Sequence, residues 1–208
     1  EIEVTTGGCS EHLAWSLRRE RATPDLGWRA VSGLNDGGIY RVIVDQRGGA
    51  SVSFVLAHDP AVEIGDHRVG LDPLSWEGVE LAEVTVAAVV EDGVAVPARP
   101  EWRKLHVFLP TGEGCPYGLV VNGACACDLT RQESRVVDDL RDYNSHLMAS
   151  VAAAVRDLLV PHLLATGGAV PDVLRLVARD GVAPGTPESR PAAQALYGLF
   201  ALGLGQIA

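Results

Sequence analysis

Apolar and polar side chains alternate with a period of two along most of the first 57 residues, the signature of half-buried strands. Ile2 and Val4 open an edge-like strand, and residues 5–10 form a turn. Leu13, Trp15 and Leu17 alternate with His12, Ala14, Ser16 and Arg18, giving one apolar and one largely polar face. Pro24 and Gly27 mark a loop before a short strand at Trp28–Val31. Asn35-Asp36-Gly37-Gly38 is a hairpin signal that leads into a strand from Ile39, where Tyr40, Val42 and Val44 alternate with Arg41, Ile43 and Asp45. Arg47-Gly48-Gly49 turns the chain and Ser51–Ala57 returns it. Antiparallel strands on short turns are the simplest account.

From His58 to Leu74 the alternation weakens, and an exposed acidic loop is expected. Glu83–Glu91 reads as a half-buried strand, and Asp92-Gly93 turns it into a hairpin with Val94–Ala98. Leu105, Val107 and Leu109 predict another strand, stopped by Pro110 and joined through Gly112, Gly114, Pro116 and Gly118 to a further one at Leu119–Cys127. Asn122-Gly123 predicts a bulge or tight turn inside that last strand. After Arg131 the period lengthens to that of a helix. Val137, Leu140, Asn144, Leu147, Val151, Val155 and Leu158 form one stripe over 133–160. Pro161 disturbs that helix, because its ring meets the carbonyl of Asp157. Gly167-Gly168 ends the segment, and a short helix runs from Pro171 to about Arg179. Residues 181–190 have a linker's composition. Ser189 and Pro191 then cap a last, apolar helix containing Leu196, Leu199, Phe200 and Leu202. These patterns divide the chain into an α+β domain at 1–166 and a helical extension at 167–208. The apolar end calls for burial, either on its own domain or as a docking face for a protein partner.

Composition narrows the functional classes. The chain has 208 residues, enough for one sizeable domain that buries about 70% of its unfolded surface. Its formal net charge of −10 argues against a general nucleic-acid surface and leaves nucleic acid to other domains. No run of 18 or so consecutive apolar residues marks a membrane span, and the acidic, mixed opening does not resemble a cleavable signal. The start at Glu1, without methionine, suggests a fragment or a processed product. Four cysteines are too few for a disulfide scaffold at this length and point to reduced, cytoplasmic thiols. The sole lysine, Lys104, opens a strand directly behind Trp102-Arg103, which excludes a phosphate-loop lysine.

Candidate chemistry is sparse. No phosphate loop, dinucleotide fingerprint, nucleophile elbow or zincin helix occurs. His58-Asp59 and Asp66-His67 pair imidazole with carboxylate in one expected loop, a metal site being the lesser reading and an exposed loop the plainer one. Cys125 and Cys127 share a strand face and read as small buried hydrophobes before they read as metal or redox thiols. His106 and His146 read as packing or surface histidines, with no evident nucleophile or acid partner. Arg18-Arg19-Glu20-Arg21 reads first as a solvated strand end and second as a phosphate or partner site. Arg131 follows a strand and precedes a helix, so it can be aimed at an anion; an ion pair with Glu133 or Asp128 is the plainer alternative.

Four motifs occur in order: Phe108-Leu109-Pro110, Val121-Asn122-Gly123, Asp128 to Arg131, and Tyr143-Asn144. In this order and spacing they resemble the region that follows the nucleotide-binding domain in sacsin-like ATPases, members of the wider gyrase, chaperone, histidine kinase and mismatch-repair (GHKL) group. The likeness covers roughly 102–160, the opening Glu1–Val4 is similar to the strand that starts this region, and the last forty or so residues fall outside it. The resemblance implies a transducer domain of ribosomal S5 domain 2-like α+β fold. Arg131, assisted by Gln132, would reach the terminal phosphate of ATP. The nucleotide and its Mg2+ would be held mainly by a preceding nucleotide-binding domain, the partner, and the transducer would be inactive alone. Relatives of this kind dimerise through that domain, so a homo-oligomer fits. Ala124-Cys125-Ala126-Cys127 replaces the family's phenylalanine-alanine, and Tyr143 stands for a commoner tryptophan. The cellular task implied is chaperone-like remodelling or bacterial defence. A non-enzymatic interaction module displaying the C-terminal apolar helix is the alternative.

Overall fold

The computed structural model describes residues 2–4, 13–25, 27–46, 49–68, 77–126 and 141–178. These residues form an α+β arrangement, a single mixed sheet with helices packed on one face. The strands are β1 (Ile2–Val4), β2 (Leu13–Ala22), β3 (Trp28–Ala30), β4 (Gly38–Gln46) and β5 (Val52–Glu63). They continue as β6 (Leu81–Glu91), β7 (Val94–Val96), β8 (Lys104–Val107), β9 (Leu109–Gly114) and β10 (Val120–Gly123). The order across the sheet is β1-β2-β4-β5-β6-β10-β8-β9, with β3 added on β2 and β7 on β6. Every described pairing is antiparallel except β10 with β8.

β6 is the centre. Val84 to Val89 are all buried, so the expected half-buried strand is instead covered on both faces and reads as a continuous apolar run. Val84, Val86 and Ala88, with Val55 and Ala57 of β5 and Val121 of β10, face the helices. Helix α1 (Arg141–Ala154) lays Leu147, Met148 and Val151 on this face with no exposure. It continues through a π turn (Val155–Leu159) into α2 (Val160–Ala165). The expected stripe holds through Asn144, Leu147, Val151 and Val155, after which Leu159 rather than Leu158 takes the fully buried place. The π turn explains this. Lengthening the hydrogen-bonded loop by one residue just before Pro161 accommodates the proline ring, and the helix proceeds to Ala165 instead of stopping near 160. Taken as one run, Tyr143–Ala165 is long and apolar enough, by length and composition, to cross a membrane. Its apolar residues are not consecutive: polar residues interrupt them, among them Arg156 and Asp157, which pair with each other at 2.6 Å.

Gly167, at φ +97°, ends α2. Its N–H donates to Leu164 O at 3.3 Å and that of Gly168 to Leu163 O at 2.9 Å, the paired bonds of a Schellman cap. Helix α3 (Val170–Val177) then buries Val173 and Leu176 in the same core as α1. Residues 179–208, with the expected linker and last helix, lie outside the described residues, as do 127–140 with the expected helix start.

Four sequence expectations are corrected. The strand at 104–109 reverses at Phe108, not after Pro110: Phe108 adopts φ +61°, and β9 returns antiparallel along β8. The supposed glycine-rich turn is therefore a strand followed by a buried segment, with Thr111, Glu113, Cys115, Tyr117 and Leu119 nearly solvent-free. Small residues make this close packing possible. A Cβ on Gly118 would lie 3.0 Å from Pro97 Cβ and 3.2 Å from Leu176 Cα. Asn122-Gly123 is no bulge; β10 pairs with β6 in unbroken register, Asn122 opposite Thr85 and Gly123 opposite Val84. Asn35–Gly38 is not a hairpin between neighbours, because β3 and β4 flank β2 on opposite sides and the loop carries the chain across its end. His58 and Asp59 belong to β5, which runs to Glu63, so this part of the expected loop is a strand. Pairing with β6 supplies the order that side-chain alternation did not announce; the register slips between Asp59 and Val62, which is why the period of two fades there.

Candidate functional site

The described structure around β10 is a set of clasps made by side chains of two sequence motifs. Asn122 Oδ1 accepts the Phe108 N–H at 3.1 Å, so the Asn-Gly motif holds the reversal of the Phe-Leu-Pro motif. A bulky residue at positive φ costs about 1–3 kcal/mol and persists only when its surroundings fix it; the Asn122 side chain is part of that fixation. Just past β10, Tyr143 Oη donates to Ala124 O at 2.8 Å. Asn144 bonds twice to one residue: its Oδ1 accepts the Ala126 N–H at 2.8 Å, and its Nδ2 donates to Ala126 O at 2.9 Å. Asn144 is fully buried, and the carboxamide acts there as a one-residue strand partner where the sheet ladder has ended. Burial pushes the Tyr143 phenol well above its ordinary range, with the Cys125 thiol a further contributor, so the hydroxyl stays a donor at any physiological pH.

These bonds join Ala124 and Ala126, which precede residues 127–140 in the chain, to Tyr143 and Asn144, which follow them; Arg131 and Gln132 belong to 127–140. Both of those residues lie outside the described structure. The Asn144 amide and Tyr143 hydroxyl are engaged with the backbone of Ala124 and Ala126. Sequence reading placed Asn144 in the helical stripe and in the Tyr-Asn motif without seeing its bonding role. A carboxamide at a stripe position that faces the core was the signal, since a buried amide requires partners.

The other candidates separate. His58 is buried in β5, with Nδ1 2.8 Å from Thr85 Oγ1. His67, in a short 3-10 turn (Gly65–Arg68), stacks on His146 of α1 with centroids 4.1 Å apart, and His146 Nε2 lies 2.7 Å from Glu63 O. His58 and His67 thus sit in different elements with different partners. Among the described residues no three His, Cys, Asp or Glu side chains are grouped to hold a metal ion. Cys125 is buried beside β10, and Cys127 lies outside the described residues. His106, on β8, has its Nε2 buried without a partner; burial holds its pKa below the usual imidazole value, opposed by a backbone hydrogen bond to Trp102 and reinforced by Lys104.

The arginine run has a mixed fate. Arg18 pairs with Asp45 at 3.1 Å, and Glu20 bonds Arg41, whose guanidinium lies 4.8 Å from the Trp28 ring centre. Arg19 and Arg21 reach instead to the loop after β3, Arg19 Nη1 donating to Ser32 O at 2.8 Å and Arg21 Nη1 to Asp36 Oδ2 at 2.7 Å. A groove of about 810 Å³ opens beside that loop.

Set against known protein families, curated proteins and solved structures, the chain finds no match in any of the three.

Proposed function

We propose that this chain is the transducer domain of a sacsin-like GHKL ATPase, with a ribosomal S5 domain 2-like fold and no ATPase activity on its own. ATP and Mg2+ are bound mainly by a preceding, cytoplasmic nucleotide-binding domain. Arg131, with Gln132 beside it, offsets the negative charge that develops on the transferring terminal phosphate. Helix α1 carries nucleotide state away from that site toward later parts of the protein, in remodelling or defence.

The observation that supports the reading is the pair of hydrogen bonds between the Asn144 carboxamide and the Ala126 backbone. A residue asked to meet a phosphate must be delivered by a segment whose ends do not drift, and catalysis of this kind is mostly positioning. The motifs that carry the resemblance form the bonds on either side of that segment. The test is ATP turnover by the longer gene product, wild type against Arg131→Ala. Turnover about 10³-fold lower, with ATP affinity and folding retained, is expected. Equal turnover in the two proteins removes Arg131 from the chemistry and leaves it an ion-pair residue.

A second reading, a non-enzymatic interaction module, has its own observation. Phe108 and Leu109 at the β8–β9 tip are 74% and 60% exposed, held outward by the Asn122 bond. Association that depends on concentration, is lost in Phe108→Ser, and is indifferent to nucleotide would favour it.

A further inference from the structure

We infer that the groove between the β2–β3 hairpin and the loop Val31–Gly37 is a binding site for a small organic anion, a carboxylate or phosphate on a compact apolar body, anchored by Arg29. The inference stands apart from the proposed ATPase role. It begins with a register: Arg21 and Arg29 face each other directly across β2 and β3. Like charges in that relation repel, and the fold relieves only one of them. Arg21 is taken up by Asp36 at 2.7 Å and by Gly37 O at 2.9 Å, and lies over the Tyr40 ring at 5.7 Å. Arg29 has no carboxylate partner among the described residues.

The wall opposite is built to stay in place. Tyr40 is buried; its hydroxyl donates to Asp36 O at 2.5 Å and accepts the Asp36 N–H at 3.3 Å. Arg19 holds Ser32 O at 2.8 Å, and the Val31 N–H reaches Arg19 O at 3.0 Å. Three long side chains thus secure a loop that makes no ladder of its own, which removes the ordering cost a ligand would otherwise meet. The volume of this open groove, about 810 Å³, is in the range of small-molecule sites. Its lining joins the two arginines and Asp36 to aliphatic Ala30, Val31 and Ile39. Counting Arg21 and Arg29 against Asp36 leaves one net positive charge, in a chain whose formal charge is −10. The planar fork of Arg29 can take both oxygens of a carboxylate or phosphate, while the ligand's apolar body rests on the aliphatic side.

The test uses the whole chain with three probes: phenyl phosphate, benzoate and uncharged benzyl alcohol. Calorimetry and backbone amide NMR report binding. One equivalent of phenyl phosphate or benzoate is expected to bind, with shifts concentrated at Ala30, Val31 and Ile39, and whichever of the two binds tighter identifies the anion class. Benzyl alcohol should not bind. Arg29→Gln, a change at an exposed edge-strand side chain that leaves the loop's bonds intact, should weaken the anion about 10-fold or more. Asp36→Asn should tighten it several-fold by freeing Arg21. Absence of binding at 10 mM of either anion (about the weakest useful affinity), or equal affinity in wild type and Arg29→Gln, overturns the proposal.

Discussion

The sheet has two sectors that are held together differently. Around β5, β6 and β10, under α1, side chains such as Val84, Val86, Leu147 and Val151 have no exposure, and the polar Asn144 and Thr85 are hydrogen-bonded, while His58 Nε2 is buried without a partner. In the sector of β2, β3 and β4, Leu17 is 49% exposed, and cross-strand order comes from Arg18–Asp45, Glu20–Arg41 and Arg21–Asp36, with Arg41 over Trp28. The first sector depends on burial and on hydrogen bonds made inside it, the second on charge at a wet surface. The same substitution chemistry therefore has different consequences in each, because an unpaired buried group costs far more than a lost surface pair.

The sharpest way to break the contrast is Asn144→Ala. It strands the Ala126 N–H and C=O in a part-buried setting and should lower unfolding free energy by about 2 kcal/mol, read from urea midpoints at constant slope. A loss under about 1 kcal/mol would show that water reaches the β10 exit and that the sectors differ less than their burial suggests. Acid comes next. Burial lowers the pKa of both His106 and His162, so the unfolded chain binds protons more readily than the folded one. Stability from these two neutral rings is complete above the ordinary imidazole value of about 6.5 and falls as pH drops below it toward the folded values. Thermal unfolding followed from pH 7.5 to 5 should show that fall, and it should shrink in His162→Phe, which keeps an aromatic ring against Trp28. A flat profile would mean the rings are hydrated in the folded state. The smallest effect belongs to the outer sector: Glu20→Gln should cost no more than about 1 kcal/mol, and the difference should fade as salt is raised.

Much of this architecture is legible in the sequence. Alternation found most strands, and helical spacing found Leu147, Val151 and Val155 because burial on one face repeats at regular intervals. What escaped depended on long-range partners. His58 looked like loop because its neighbours do not alternate, yet pairing with Thr85 on β6 makes it strand. The reversal at Phe108 could not be read locally, since the φ of +61° is held with the help of the hydrogen bond that the Phe108 N–H donates to Asn122 Oδ1, distant in sequence. Arg19 and Arg21 resembled a solvated end because the loop they secure follows another strand. For the candidate site, the motif positions 108, 122, 143 and 144 are marked in the sequence, while the bonds of Phe108 with Asn122, Tyr143 with Ala124 and Asn144 with Ala126 require the topology.

The π turn at Val155–Leu159 sets the phase of everything after it. An ordinary helix advances about 100° per residue, so the surplus residue rotates α2 by that angle relative to an uninterrupted α-helix. Leu159 and Leu163 point inward, and α3 meets the core, on account of that offset. The turn thus works as a shim: removing one residue from it would leave the sequence of α2 untouched and still swing its apolar side out of alignment with the sheet.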